Sequence, residues 1–350
     1  MKTVMVTGGC GFIASHFIRL LINNTEFRVV NIDKLTYAGN LENLKDIREN
    51  HRYHFVKGDI GNREFIESIL GKEKPWGMVN FAAESHVDRS IVSASPFVQT
   101  NVADVLVLLE SIRNFKIQRF LQISTDEVYG DISGIEPAHE KSTLLPSSPY
   151  AASKASADLL CLAYQRTYDL PIIITRSSNN YGPCQFPEKL IPLVIHNAIS
   201  GKSIPVYGDG LQLRDWIYVN DNCDALLKVL ENGKVGSIYN IGTQNETTNL
   251  KMVELICAIL ARETDTKLDK LLGLIQFVSD RPGHDRRYAL ITKNIKDELD
   301  WHPKVPIENG LASTVRWYIE NQDWVKRVTS GEYRNYYKTV YQNEWGQILK

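Results

Sequence analysis

With 350 residues, of which 43% are hydrophobic and 23% charged, the chain has the balance of a globular protein and length for one large domain or two of ordinary size. Its 40 basic and 41 acidic side chains leave a net charge of −1, so it lacks the cationic excess with which a protein follows a phosphate backbone, and a nucleic-acid partner is disfavoured. No apolar run reaches the roughly 18 to 20 residues that span a bilayer, and only Val4-Met5-Val6 precede the first glycines, too few for a signal-peptide core, so a soluble, cytoplasmic protein without a membrane partner is expected.

In chain order, the β-branched run Thr3 to Thr7 reads as a strand, Gly8-Gly9-Cys10-Gly11-Phe12-Ile13-Ala14 as a tight turn, and Ser15 to Ile22 as a helix. A second apolar run, Val29 to Ile32, ends in Asp33, 25 residues after Gly8 and 22 after Gly11. That order is the first βαβ unit of a dinucleotide-binding fold. Gly8 and Gly11 admit a pyrophosphate to a helix amino end, and the Asp33 carboxylate accepts hydrogen bonds from the adenosine ribose. The competing reading is a tight turn in an α/β protein that binds no nucleotide. Ala14 takes the third motif position, where the side chain need only be small. Because Asp33 would repel a 2′-phosphate, NAD is expected over NADP, although Lys34 beside it weakens the inference.

Strand candidates recur at Tyr53 to Lys57, before Gly58-Asp59-Ile60, at Gly77 to Phe81, before Ala82-Ala83, then at Arg119 to Ser124 and Ile172 to Arg176, with helical stretches between. Such alternation predicts an α/β fold with a doubly wound parallel sheet and its ligand at the carboxyl ends of the strands. Asp59 and Ile60 would then meet the adenine, unless Asp59 is ordinary turn chemistry after a glycine. The cysteines at 10, 161, 184, 223 and 257 are odd in number and form no CxxC pair, which argues against a disulfide framework and a zinc site, and no metal is expected.

Tyr150 and Lys154 lie four apart at the start of a long amphipathic stretch after Pro149, hence on one helix face. An ammonium near a phenol favours the phenolate, as would a nicotinamide cation, so Tyr150 could take a proton from an alcohol as hydride leaves the same carbon. At an upstream strand end stand Ser124-Thr125-Asp126-Glu127-Val128-Tyr129-Gly130, where Thr125 would offer its hydroxyl to the same alcohol and two carboxyl groups would face the cofactor crevice. A surface helix and a solvated turn are the plainer readings of these two segments.

TGGxGFI at 7–13, YxxxK at 150–154 and STDEVYG at 124–130 together resemble the extended short-chain dehydrogenase/reductase superfamily, and within it the nucleotide-sugar 4,6-dehydratases. The resemblance runs nearly the whole chain, through Ala82 to Asp88, Ser178 to Pro183, Phe186 to Pro192, Arg214 to Trp216, Tyr239 to Gly242 and Arg281 to Tyr288. It implies a Rossmann domain over 1–178, taking in part of 214–243, and a smaller, partly interleaved α/β substrate domain over 179–350, where prolines at 183, 187, 192 and 205 break up the text.

The resemblance also implies the chemistry. C4 of a hexose is oxidised to a ketone that acidifies the C5 proton; Glu127 removes that proton while protonated Asp126 helps the C6 hydroxyl leave as water. Hydride then returns at C6 and Glu127 reprotonates C5, so tightly bound NAD is regenerated each turnover. Two neighbouring carboxyls must therefore hold different protonation states, as a desolvated, mutually repelling pair can. By the same resemblance, Phe12 and Ile13, the Lys34-Leu35-Thr36 stretch, Ala82, Ala83 and Ser85, then Thr100 and Asn180, contact the cofactor, although a threonine at a helix amino end is also an ordinary cap. Ser85, His86, Asn179, Lys189 and Leu190 would meet the nucleotide sugar and Pro205 to Tyr207 the pyrimidine; Arg214, Asn249, Arg281 and His284 take further substrate positions. His86 could equally be a hydrogen-bonded structural residue.

Val102 to Ile112 and Ala155 to Tyr164 are apolar over a wide arc, and related enzymes pair through such helices as homodimers. The aromatic tail, with Tyr333, Tyr336, Tyr337, Tyr341 and Trp345, is expected to pack on the body. Two other functions stay open: a 4-epimerase or a dehydratase for another sugar, and a non-catalytic NAD-binding regulatory protein. An epimerase lacks the Asp-Glu couple, so residues 126 and 127 discriminate. Thymine and uracil differ by one methyl group, and the residues around Tyr207 leave dTDP-glucose and UDP-glucose both open.

Overall fold

The computed structural model describes residues 1–330, and the expectation for the aromatic tail falls outside the described residues. Its largest sheet has seven strands: β1 (Thr3–Thr7), β2 (Arg28–Asp33), β3 (Tyr53–Lys57), β4 (Gly77–Asn80), β5 (Arg119–Thr125), β6 (Ile172–Ser177) and a late strand at Ile238–Ile241. They run in the order 3-2-1-4-5-6 and then the late strand, every neighbouring pair parallel. This is the doubly wound Rossmann sheet, with its reversal of direction between β1 and β4. Both faces are covered by helices, so Val4, Met5 and Val6 are all fully buried and the strand reads as a continuous apolar run.

The first helix spans Phe12–Asn24, one turn earlier than the apolar spacing from Ser15 suggests, because Gly11 takes the N-cap position in extended conformation. β4 stops at Asn80, one residue short of the expected Phe81, while β5 runs one residue further, to Thr125.

After β6 the chain leaves the sheet. β7 (Asn179–Tyr181), β8 (Ile204–Tyr207) and β9 (Leu213–Tyr218) come before the returning strand, now β10, and β11 (Glu246–Thr248) and β12 (Ile275–Val278) after it. β7 and β11 flank β9, and β8 pairs in parallel with β12 across some seventy residues, Pro205 opposite Gln276. A second apolar core, which includes Ile191, Val194, Met252, Ile256, Leu311 and Val315, joins the helices Leu190–Ile199, Asn249–Thr264 and Ile307–Glu320. β10 closes the interleaving: Ile238 pairs with Ile174 and Ile241 with Ser177, so a segment made after three strands of the excursion finishes the first sheet.

All five cysteines are free and buried, and no helix is long and apolar enough to cross a membrane among the described residues.

Candidate active site

The carboxyl ends of β1, β2, β4, β5 and β6 open onto one cleft of about 300 Å³. Its floor is the first turn. Gly8 has φ +66°, and a Cβ there would stand 2.7 Å from the Ala82 backbone, so a side chain is excluded on both counts. No side chain caps the helix that begins at Phe12, and Gly8, Gly11, Phe12 and Ile13 line the cleft at that helix end. Asp33, 8% exposed at the end of β2, accepts from the Cys10 amide at 2.9 Å and from the Leu35 amide at 2.7 Å. Cys10 thus fastens the glycine turn to the Asp33 carboxylate, and burial and the nearby Asp33 charge push its thiol up to about 12, so it stays protonated. On the opposite wall Asn179 Oδ1, Asn180 Oδ1 and Ser178 Oγ are buried without a hydrogen-bond partner among the described residues. An uncapped helix end, a turn with no room for a side chain and orphaned polar atoms across the cleft fit a dinucleotide lying between them.

Of the remaining cofactor candidates, Lys34, Thr36, Ile60, Ala82, Ala83, Ser85 and Thr100 line this cleft. Asp59 does not: its carboxylate accepts from the Gly61 amide at 3.0 Å and faces Lys34 Nζ at 3.5 Å, the turn chemistry weighed as its alternative. Leu35, with φ +59°, is also outside the lining. Thr100 is not a helix cap but sits within a wide π-type turn, Gln99–Ala103, that carries it to the cleft.

At the end of β5 the chain enters a single 3₁₀ turn, Asp126–Tyr129. Gly130 ends it at φ +75°, where a Cβ would collide with the Leu145 carbonyl. The Thr125 hydroxyl accepts from the Glu127 amide at 3.3 Å, donates to Asp126 Oδ1 at 3.2 Å and shares a hydrogen bond with the Tyr150 phenol. Three of the five expected catalytic groups therefore meet around one hydroxyl. Burial, reinforced by the Glu127 charge, holds the Asp126 carboxyl well above the usual range. Burial also raises Glu127, but Arg281, Lys189 and Arg214 pull it back. Both carboxyls are raised by burial, and Glu127 alone also has Arg281 and Lys189 drawing it toward the charged form, the surroundings that an acid beside a base requires.

Tyr150 opens the helix Pro149–Tyr168, which Ser148 caps by accepting from the Ala151 amide at 3.1 Å. Lys154 Nζ donates to the Ile123 carbonyl of β5 at 2.6 Å, and burial together with the Glu127 charge pushes Tyr150 upward.

The substrate candidates divide into two groups. Asn179 and Lys189 line the cleft, and Lys189 Nζ donates to the Ser85 carbonyl at 2.6 Å. Arg214 and Arg281 bring positive charge onto Glu127. Tyr207 and Arg281 share one buried carboxylate, Asp88, at 2.9 and 2.6 Å, and Arg281 holds it at about 2. His284 stands edge-on to Tyr207 with ring centroids 6.0 Å apart and faces Asp280 Oδ1 at 2.6 Å. The Asn249 Oδ1 atom is buried without a hydrogen-bond partner among the described residues. Leu190 packs against the second core and Pro205 is buried in β8; neither lines the cleft. His86 is 3% exposed with Nε2 at 3.3 Å from the Glu188 carbonyl, also outside the lining, and burial holds it neutral. Sequence reasoning missed Asp88 and Glu188 as organisers, although both stand inside quoted segments; nothing local signals that the partners of Asp88 arrive from 119 and 193 residues away. Among the described residues no three His, Cys, Asp or Glu side chains gather as metal ligands.

Residues 5–314 match the model of the GDP-mannose 4,6 dehydratase family, and the chain belongs to that family of extended short-chain dehydrogenase/reductase proteins. Within it, a dTDP-glucose 4,6-dehydratase from Neisseria meningitidis is 49% identical over 347 residues, covering 95% of this chain and 98% of its own. The solved structure of a dTDP-glucose 4,6-dehydratase from Bacillus anthracis in complex with NAD is 45% identical, with a TM-score of 0.85 over 94% of this chain and all (100%) of that one. The UDP-glucose 4-epimerase of Thermotoga maritima shares the fold, at a TM-score of 0.83 over 92% of this chain and 100% of that one, but only 30% of the sequence.

Proposed function

We propose that this protein is an NAD-dependent nucleotide-sugar lyase that converts an NDP-glucose, dTDP-glucose first, to the 4-keto-6-deoxy sugar and water. The observation that carries this reading is the buried carboxyl couple at the end of β5: Asp126, held on the Thr125 hydroxyl, and Glu127, whose backbone amide donates to the same hydroxyl, beside Tyr150. An epimerase, which only removes and restores hydride at C4, has no use for it. Relatives of 49% and 45% identity named as dTDP-glucose 4,6-dehydratases support the same choice.

The residues divide the work as follows. Thr125 and Tyr150 bind the C4 hydroxyl, and Tyr150 receives its proton. When bound, NAD supplies a cationic ring that draws the phenol toward phenolate, takes hydride from C4 and returns it at C6. Glu127 then removes the C5 proton, now acidified by the C4 ketone, as Asp126 gives its proton to the departing C6 hydroxyl. Glu127 returns its proton to C5 at the end. Lys154 positions the end of β5 through the Ile123 carbonyl. Gly8, Gly11 and the amino end of the first helix would hold the pyrophosphate, and Asp33 the ribose. Lys189, Arg214 and Arg281 would hold the substrate diphosphate, the planar arginine forks suiting its oxygens.

Purified protein with NAD, incubated in parallel with dTDP-glucose and UDP-glucose, tests this: loss of one water by mass and the alkaline absorbance of the keto sugar are expected from dTDP-glucose, at a higher kcat/KM than from UDP-glucose. No water loss from either, with NAD bound, would return the weight to an epimerase or to a silent NAD-binder.

The same reading takes residues 1–178 with β10 as the cofactor domain and most of the rest as the substrate domain, in a cytoplasmic homodimer. Leu106 and Leu159, 38% and 58% exposed on the helices Asp104–Asn114 and Pro149–Tyr168, support the pairing. Leu159→Arg is expected to halve the mass seen by light scattering at micromolar concentration; a monomeric mass for the unaltered protein would end the dimer reading.

A further inference from the structure

The loop after Asp33 is shaped by bonds of its own: the Leu35 amide donates to Asp33 Oδ1 at 2.7 Å, and the Gly39 amide to the Thr36 carbonyl at 3.0 Å. Neither fixes it to the opposite wall of the cleft. That tie is made at Tyr37. Its phenol donates to Glu188 Oε1 at 2.9 Å, while Arg89 Nε donates to the other oxygen of the same carboxylate at 3.2 Å. The Arg89 guanidinium lies 3.9 Å from the Tyr37 ring centroid, and Phe186 meets that ring edge-on with centroids 5.4 Å apart. Three segments distant in sequence thus converge on one carboxylate: the loop after β2, the helix Val87–Val92 and the stretch leading into the helix at Leu190. The cluster stands at the rim of the cleft, since Ala38, Gly39, Phe186 and Glu188 all line it.

We infer that Tyr37, Arg89 and Glu188 form a clasp over the adenosine end of the cleft that governs how fast NAD leaves. The inference rests on the NAD reading above. In a reaction that removes hydride at one carbon and restores it at another, a cofactor lost midway strands the intermediate, so slow release is a requirement of the chemistry. The clasp suits that task because it touches no reacting atom. Glu188 is only 4% exposed, so breaking one of its bonds leaves a desolvated oxygen without a donor, and the closed state is favoured by more than an exposed ion pair would give.

The test is exchange of bound NAD against excess isotopically labelled NAD, without sugar nucleotide, followed by mass spectrometry of the nucleotide retained after desalting. Tyr37→Phe is expected to speed exchange on the order of tenfold, the size of one hydrogen bond to a charged group. Glu188→Leu, which leaves no acceptor for either donor, should speed it at least as much, and the double variant no more than Glu188→Leu alone, because both substitutions remove the Tyr37–Glu188 bond. General loosening of the fold would instead make the two effects multiply. Exchange at the parental rate in Tyr37→Phe, or multiplication in the double variant, overturns the clasp; if Glu188→Leu does not fold, the rate of Tyr37→Phe decides. Because no sugar is present, failure of the dehydratase reading registers separately, as absent water loss from the parent protein with NAD supplied, whereas a parent that retains no NAD overturns the clasp alone.

Discussion

Replacing Glu127 by Gln is expected to lower kcat for water loss about 10²- to 10⁴-fold, the usual contribution of a positioned acid or base. The amide keeps the shape and the bond from its backbone N–H to Thr125 but cannot take a proton from C5. Oxidation at C4 should survive, so a single turnover is expected to show the 340 nm absorbance of reduced nicotinamide rising and persisting, with no water released. A pH effect accompanies it. The Glu127 charge pushes the Tyr150 phenol upward, so its neutralisation lowers that pKa and moves the acid limb of the oxidation step to lower pH. In the unaltered protein, elimination should fail as pH falls through the Glu127 pKa, for want of a base, and again as it rises through that of Asp126, for want of an acid. Water loss at the parental rate in Glu127→Gln would remove the central assignment.

Arg176→Met is expected to destabilise the fold by about 3–5 kcal/mol, the cost of stranding a buried charge. Arg176 Nε donates to Asp158 Oδ2 at 2.8 Å in a pair whose side chains are 2% and 0% exposed. The same guanidinium donates to the Tyr129 phenol at 2.9 Å, which in turn donates to Asn240 Oδ1 at 2.8 Å. One arginine thereby links the helix that carries Tyr150 and Lys154, the turn that carries Asp126 and Glu127, β6 and β10. Urea unfolding should show the loss as a lower midpoint at unchanged slope. Arg176→Met combined with Asp158→Leu should recover much of it, since two apolar groups leave no charge unpaired. If the single and double variants unfold alike, the pair carries no such burden.

What could be read in advance follows from range. The glycine turn, the helix after it and Asp33 lie within one βαβ unit, where spacing dictates geometry, and the parallel sheet follows from the alternation of strands and helices. Tyr150 and Lys154 were legible as a pair on one face, but the choice of Ile123 as the lysine's acceptor depends on where β5 ends beneath them. Asp59 shows local chemistry at such a position: it stands past a strand end and forms an Asx turn to Gly61. Long-range convergence left no trace in any window of sequence. Arg281 and Tyr207 on Asp88, or Tyr37 and Arg89 on Glu188, become neighbours only after β8 and β12 have paired and the segment after β7 has folded back over the cleft.

The late position of β10 bears on how the chain is made. β6 is buried along its whole length, yet one of its edges is covered only by residues 238–241. A chain growing from the ribosome therefore carries Ile172, Ile173 and Ile174 with an open strand edge until the excursion through β7, β8 and β9 has been synthesised and the chain has come back. A truncation between 178 and 238 should accumulate as aggregate, and the interval over which those residues emerge is when the newborn protein most needs a chaperone.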